Sequence, residues 1–285
     1  MAAPVAKGQR GNARLWIGLA LSLVLIGLAV TSLLWTPFPI AGTDLTQGLL
    51  DPGAPHWLGT DPAGRDMASL LMSATLTSLV IAVLAVAVGL LIGVPLGLIA
   101  AISGGSIDWL IQKFSDFLVV FPALVIAILC SALAGPGALN AVIAVGIINI
   151  PVLARVARAG AADVKALDYV AAARLAGLGG WAIAWRHLLP NAWGPVMMQA
   201  IRLLALGLIG EAGLSYLGLG ARSPQVSLGL MLSEAQGNFL AHPWLALLPG
   251  LVIVLLVLAL NLLADGLADT FRPRPRRERA ARAAA

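Results

Sequence analysis

The segment from Asp163 to Asn191, DVKALDYVAAARLAGLGGWAIAWRHLLPN, is the one long polar interruption in the apolar second half of the chain. Its residue types suit recognition more than bond-making. Asp163 or Asp168 can stabilise a helix start, and Ala171, Ala172 and Ala173 are strong helix formers. Gly177, Gly179 and Gly180 then break that helix. A second, short helix is expected from Trp181, with Trp185 one turn later on the same face and Pro190 just beyond its end. Small residues at Ala172, Ala173 and Ala176 let a partner backbone approach closely. A dozen residues rarely hold a helix alone in water, so the segment is expected to dock, on its own spans or on another protein.

Residues that make and break bonds are not arranged to do so. A phosphate-cradling loop needs glycines ahead of Lys-Ser or Lys-Thr, but Lys7, Lys113 and Lys165 are followed by Gly8, Phe114 and Ala166. His56, His187 and His242 lie on separate segments, with no His-Glu-x-x-His zinc pattern and no Gly-x-Ser-x-Gly elbow. The single cysteine, Cys130, sits in an apolar run and belongs to no metal-ligand cluster. The sequence therefore predicts neither catalysis nor a bound cofactor or metal.

With 60% hydrophobic and 11% charged residues and a mean hydropathy of +0.94, the chain is far from the composition of soluble domains. Crossing about 30 Å of hydrocarbon takes roughly 20 helical residues. Six runs qualify: Leu15 to Trp35, Leu76 to Ile102, Phe117 to Ala134, Leu139 to Ala154, Val196 to Leu219 and Trp244 to Leu267. The net charge of +5 and pI of 10.1 arise from basic residues that flank these runs, which fits membrane topology rather than nucleic-acid binding. Six spans with both termini inside place Lys113, Arg155, Arg158, Lys165, Arg174, Arg186 and the terminal basic residues in the cytoplasm. Only Arg65 and Arg222 fall outside. The organisation expected is a cytoplasmic tail (1–14), a first anchor (15–35), an extracytoplasmic loop (36–75) too short and polar for its own core, a five-span core (76–268) with a cytoplasmic loop (155–195), and a basic tail (269–285).

Within the spans, Gly89, Gly93 and Gly97 recur every four residues on one helix face, which admits another backbone. Pro95 and Pro122 remove backbone hydrogen bonds, as simple kinks or beside a hydrated path. Charges in a span are costly. Arg202 and Glu211 in the fifth span lie on opposite faces about 13 Å apart, so each needs another partner. Arg202 can snorkel to the inner surface; Glu211 either lines a hydrated path or bonds a neighbouring helix.

The loop after the fourth span resembles the "EAA" coupling segment of permease subunits of ATP-binding-cassette importers. Ala172-Ala173, Gly177 and Leu189-Pro190 keep its spacing, although Ala171 stands at the glutamate position and His187 at a usually apolar one. Arg186-His187-Leu188-Leu189-Pro190-Asn191 is similar to the ending found in dipeptide, oligopeptide and nickel permeases of the "C" subunit type. Leu58-Gly59-Thr60-Asp61-Pro62-Ala63-Gly64-Arg65-Asp66, the stretch from Ile150-Pro151 to Arg158, Lys165-x-x-Asp168-Tyr169-Val170, Glu211 to Gly220, Pro243 to Leu247 and Asn261 to Leu267 also fit that group. The resemblance spans roughly Trp57 to Arg274.

The resemblance implies an all-α membrane protein of type I importer architecture in a bacterial inner membrane. It also implies a second homologous permease, two ATPase subunits that use ATP and magnesium, and an extracytoplasmic solute-binding protein. Asp168, Tyr169, Ala172, Ala173, Gly177, Arg186, His187, Leu189 and Pro190 would then face the ATPase, with peptides or a nickel chelate as cargo. A secondary transporter usually shows internal symmetry between halves, and no convincing repeat is present. A non-transporting assembly subunit is the other alternative.

Overall fold

The computed structural model describes residues 7–271, and among these the regular structure is helical, with one isolated bridge between Thr60 and Asp66. The expected basic tail from residue 272 onward lies outside the described residues. Helix α1 (Lys7–Thr31) already begins inside the segment expected as a tail. The helices α2 (Met67–Val88) and α3 (Val94–Ser103) join through a π-turn at Gly89–Gly93. They are followed by α4 (Gly105–Val120), α5 (Ala123–Ala134), α6 (Ala138–Lys165), α7 (Asp168–Leu175) and α8 (Gly180–Ile183). The remaining helices are α9 (Leu189–Tyr216), α10 (Leu228–Glu234) and α11 (Trp244–Phe271).

Five helical stretches are long and apolar enough to cross a membrane, and the bent pair α4–α5 makes a sixth if counted as one span. That pair corrects the expected continuous run from Phe117 to Ala134. The helices meet at 82°, because Phe121 precedes a proline and is extended (φ −78°, ψ 122°), as is Pro122 itself (φ −63°, ψ 139°). A residue before proline is pushed out of the helical region. Most other expected runs are too short at one end, while the first and fifth overrun the helix ends at Thr31 and Tyr216. Polar side chains end the hydropathy signal without ending the helix, so α6 continues to Lys165 and the second span starts at Met67.

A third correction concerns the polar loop. No separate short helix ends before Pro190. Helical backbone runs from Gly180 through a π-turn at Ala184–Leu188 into α9 without a break, giving one stretch of 37 residues. Pro190 lies inside this stretch, directly after the π-turn, and its missing N–H removes one backbone hydrogen bond there.

Close backbone approach sets the packing. A Cβ on Gly89 would lie 2.6 Å from Asn149 Cβ, and one on Gly93 would lie 2.5 Å from the Ile150 carbonyl. A Cβ on Gly97 would collide with the Ala154 carbonyl. The α2–α3 rod therefore lies along α6 through its glycine face. At the periphery α1 packs on α11, with Gly18 against Leu262 and Leu263 and Gly266 against Leu15.

The loop between α1 and α2, expected on the outer side, is a hydrogen-bonded structure rather than a slack connection. Asp66 caps α2, accepting from Ser69 N and Ser69 Oγ at 2.8 Å each, while its other oxygen meets His56 Nδ1 at 2.9 Å. Asp61 accepts from the amides of Ala63 and Arg65 and pairs with Arg65 Nε at 2.6 Å. His56, Thr60, Asp61 and Asp66 are all buried. Arg65 also reaches Glu234 of α10 at 3.3 Å, tying the two outer segments together.

Candidate functional site

The polar segment is built on the inner ends of α6 and α9. Val170 of α7 is fully buried with Ile183, Leu188, Leu153 and Leu98, which seats α7 on the bundle. The Tyr169 and His187 rings meet at a tilt of 59° with centroids 5.8 Å apart. Asn191 Nδ2 donates to Tyr169 Oη at 3.2 Å and to the His187 carbonyl at 2.7 Å. Residues separated by a score of positions thus meet at one corner, joining α7 to the start of α9. Asn191 is an anchor that spacing alone did not single out.

Helix α7 ends in a Schellman motif. Gly177 N donates to the Arg174 carbonyl at 2.9 Å and Leu178 N to the Ala173 carbonyl at 3.1 Å, with Gly177 at φ +86°. That backbone region favours glycine. A Cβ on Gly177 would meet nothing within 4 Å, so the requirement is conformational and the surface around it is open. Asp168 occupies the first turn of α7, but the cap residue is Leu167 and no side chain caps this helix. Asp168 therefore acts through charge at the helix start, while Asp163 lies inside α6.

The segment presents a broad exposed face. Ala172, Arg174, Leu175, Arg186 and Pro190 are exposed, Leu175 at 90%, and Trp181 and Trp185 are more than half exposed. Ala173 and Leu189 are half-buried. The exposed face of this segment thus combines apolar and basic residues, with Val170 buried beneath it.

The intramembrane charges have separate partners. Arg202 pairs with Asp265 of α11 at 3.2 Å. Glu211 is fully buried, and its Oε1 accepts from Ser215 Oγ at 2.6 Å. The hydroxyls of Ser78 on α2 and Ser227 at the start of α10 also lie beside this carboxyl, although Oε2 lacks a partner of hydrogen-bonding geometry. Glu211 thus meets neighbouring elements inside the bundle. Pro122 lies at the α4–α5 elbow, away from the polar segment in sequence and on a different pair of helices. Among the described residues, no group of three or more His, Cys, Asp or Glu side chains is placed to hold a metal ion.

Residues 93–277 match the family described as the binding-protein-dependent transport system inner membrane component. The chain belongs to this family. It is 35% identical over 258 residues to the dipeptide transport system permease protein DppC of Alkalihalophilus pseudofirmus, covering 90% of this chain and 85% of that protein. It is 40% identical over 223 residues to the glutathione transport system permease protein GsiD of Pectobacterium atrosepticum, covering 78% and 74%.

Among solved structures, the inward-facing MetNI methionine ABC transporter is similar over 72% of this chain and 98% of the compared chain, with a TM-score of 0.60 and 18% identity. An amino acid ABC transporter follows with a TM-score of 0.53 and 21% identity, over 68% and 91%. These structures establish the fold as that of an ABC transporter membrane domain. The chain is accordingly a multi-pass inner-membrane permease component of an importer, and not an enzyme in its own right.

Proposed function

We propose that this permease pairs with a second, homologous permease and takes short peptides from an extracytoplasmic binding protein. Two ATPase subunits, which hydrolyse ATP with magnesium, drive the pair, and one of them grips this chain at residues 166–188. The observation that carries the reading is the exposed tip of α7, closed by Gly177 in a left-handed conformation and seated by Val170. Asp168, Tyr169, Ala172, Ala173, Gly177, Arg186 and His187 form or support the gripped face, and Leu189 and Pro190 carry its movement into α9. Closure of the ATPase pair would shift this body as a unit. Ala171 offers no carboxylate to that contact, so shape and the neighbouring Arg174 and Arg186 supply the recognition.

In the same reading Glu211 is a contact between helices that transport requires, Pro122 shapes the α4–α5 elbow, and Gly89, Gly93 and Gly97 keep α2–α3 against α6. Short peptides are favoured over nickel chelates because the relatives are named for dipeptide and glutathione transport.

The test is replacement of Gly177 by leucine in the assembled complex. A bulky residue at φ +86° strains the cap. Uptake of a labelled dipeptide into vesicles is expected to fall about tenfold while ATP hydrolysis persists and the protein remains inserted. Normal uptake by Gly177→Leu would sink the proposal.

A further inference from the structure

The inner ends of three helices are clamped by charges that the proposed ATPase face does not use. Arg158 of α6 grips Asp108 of α4 with two prongs, Nε to Oδ1 and Nη2 to Oδ2, each at 2.5 Å. A forked pair fixes orientation as well as distance. Arg155 of α6 lies 3.8 Å from Asp116, two turns further along α4. Lys165 Nζ donates to the carbonyls of Ala101 and Ile102 at 2.6 and 3.2 Å, binding the end of α3 to the end of α6. Asp108 is mostly covered and Arg158 about one-third exposed, with side-chain exposures of 16% and 34%, so the fork geometry rather than burial distinguishes this pair from an ordinary surface ion pair.

The clamp sits between two very different neighbours. On one side α6 runs into α7 through only Ala166 and Leu167. On the other, α4 passes to α5 through the 82° elbow of Phe121 and Pro122, both extended. Among the described residues of α5 only Ala127 is buried. Packing within the chain therefore covers little of α5, which meets α6 through Ala127 and through Asn140 Nδ2 donating to Ser131 Oγ at 3.3 Å near its far end, whereas α4 is held by charge to the helix that leads into the coupling segment.

We infer that Arg158 and Asp108 are a positioning pair for transport: they make α4 follow the coupling segment, and through the Phe121–Pro122 elbow they set the direction of α5. This rests on the proposed ATPase-facing role of residues 166–188. A stiff clamp at one end of α4 and a joint at the other turn a shift of α6 into a swing of α5, a rigid-body transmission of a known kind.

Cys130, the sole cysteine, lies half-buried on α5 and provides the readout. The complete complex, with its second permease, ATPases and binding protein, is reconstituted in vesicles. A small permeant maleimide labels it with and without ATP, and labelling of this chain is followed by mass. In the parent, the Cys130 rate is expected to change several-fold on ATP binding. Asp108→Asn, and Arg158→Lys, which keeps the charge but loses the fork, should flatten that change to less than about twofold. Uptake should then drop about tenfold with ATP hydrolysis retained. Exchanging the charges, Asp108→Arg with Arg158→Asp, should restore both the labelling change and part of the uptake. An ATP-responsive parent matched by an equally responsive Asp108→Asn variant overturns this inference alone, as does a charge exchange that rescues nothing. A parent whose labelling and uptake both ignore ATP overturns the coupling reading together with it.

Discussion

Gly93 lies against the main chain of Ile150, so that a Cβ on the glycine would sit 2.5 Å from the Ile150 carbonyl oxygen. The next nearest atom is the Ala154 amide nitrogen at 3.2 Å. Backbone cannot rotate away as a side chain can, so Gly93→Ala must separate α2–α3 from α6. The expected cost is about 1–3 kcal/mol, read as a lowered thermal midpoint of the purified protein. Gly27→Ala is the control. Nothing lies within 4 Å of a Cβ there, so that change should leave the midpoint unchanged or slightly raise it.

Asp66 holds two elements at once, the first turn of α2 through Ser69 and the ring of His56. Asp66→Ala loses the cap, worth about 1 kcal/mol, and leaves buried polar groups of His56 and Ser69 without their acceptor, at about 1–3 kcal/mol more. The outer loop should loosen before the bundle does. Faster proteolysis between Phe38 and Asp66 in intact outward-facing preparations, at near-normal insertion, is the expected result.

Glu234 gives the outer face a pH dependence. Burial raises its carboxyl above the ordinary value of 4.5, opposed by the nearby Arg65 charge and reinforced by Asp61. A carboxyl whose folded pKa is raised contributes stability that is fully present below its unfolded pKa and lost as pH rises through the folded value. That contribution shrinks as pH rises through the folded value. Glu234→Gln should therefore leave the thermal midpoint at pH 7 equal to or slightly above the parent, despite the Arg65 contact. Thermal unfolding across pH 4 to 7 checks this, with the parent gaining relative to the variant as pH falls.

Composition and long apolar runs made the class legible, and the span count up to the bent α4–α5 pair, because bilayer thickness leaves few alternatives. The glycine face of the second span was legible for the same kind of reason: a four-residue repeat can only point one way on a helix. The α4–α5 bend was not. Hydropathy carries no information on backbone direction, and Pro122 fits a mild kink as well as an elbow. Nor was the continuity of Gly180 with Tyr216 visible, since glycines and Pro190 read as punctuation while buried Ile183 and Leu188 overrode them. Within the polar segment, Gly177 was recognisable because a cap has a local signature. The Tyr169, His187 and Asn191 corner and the Asp108–Arg158 clamp join residues far apart in sequence, and only the packed helices bring them together.

The buried Glu211 poses the sharpest choice between a tolerated residue and a needed one. Its Oε1 accepts a hydrogen bond from Ser215 Oγ at 2.6 Å, and Ser215 Oγ in turn accepts from Ala221 N at 3.1 Å. The turn after α9 is packed so tightly on that hydroxyl that a Cβ on Gly220 would collide with it. Glu211 therefore fixes the Ser215 rotamer, and Ser215 fixes the turn that leads to α10. Glu211→Gln keeps the volume and an acceptor, so uptake should stay within about threefold of the parent. Glu211→Ala removes the acceptor and opens a cavity, an expected cost of about 2–4 kcal/mol, with uptake reduced about tenfold or more. Uptake and assembly measured together separate the cases. An alanine variant that assembles and transports like the parent would mean that the turn holds without this carboxyl and that transport does not need it.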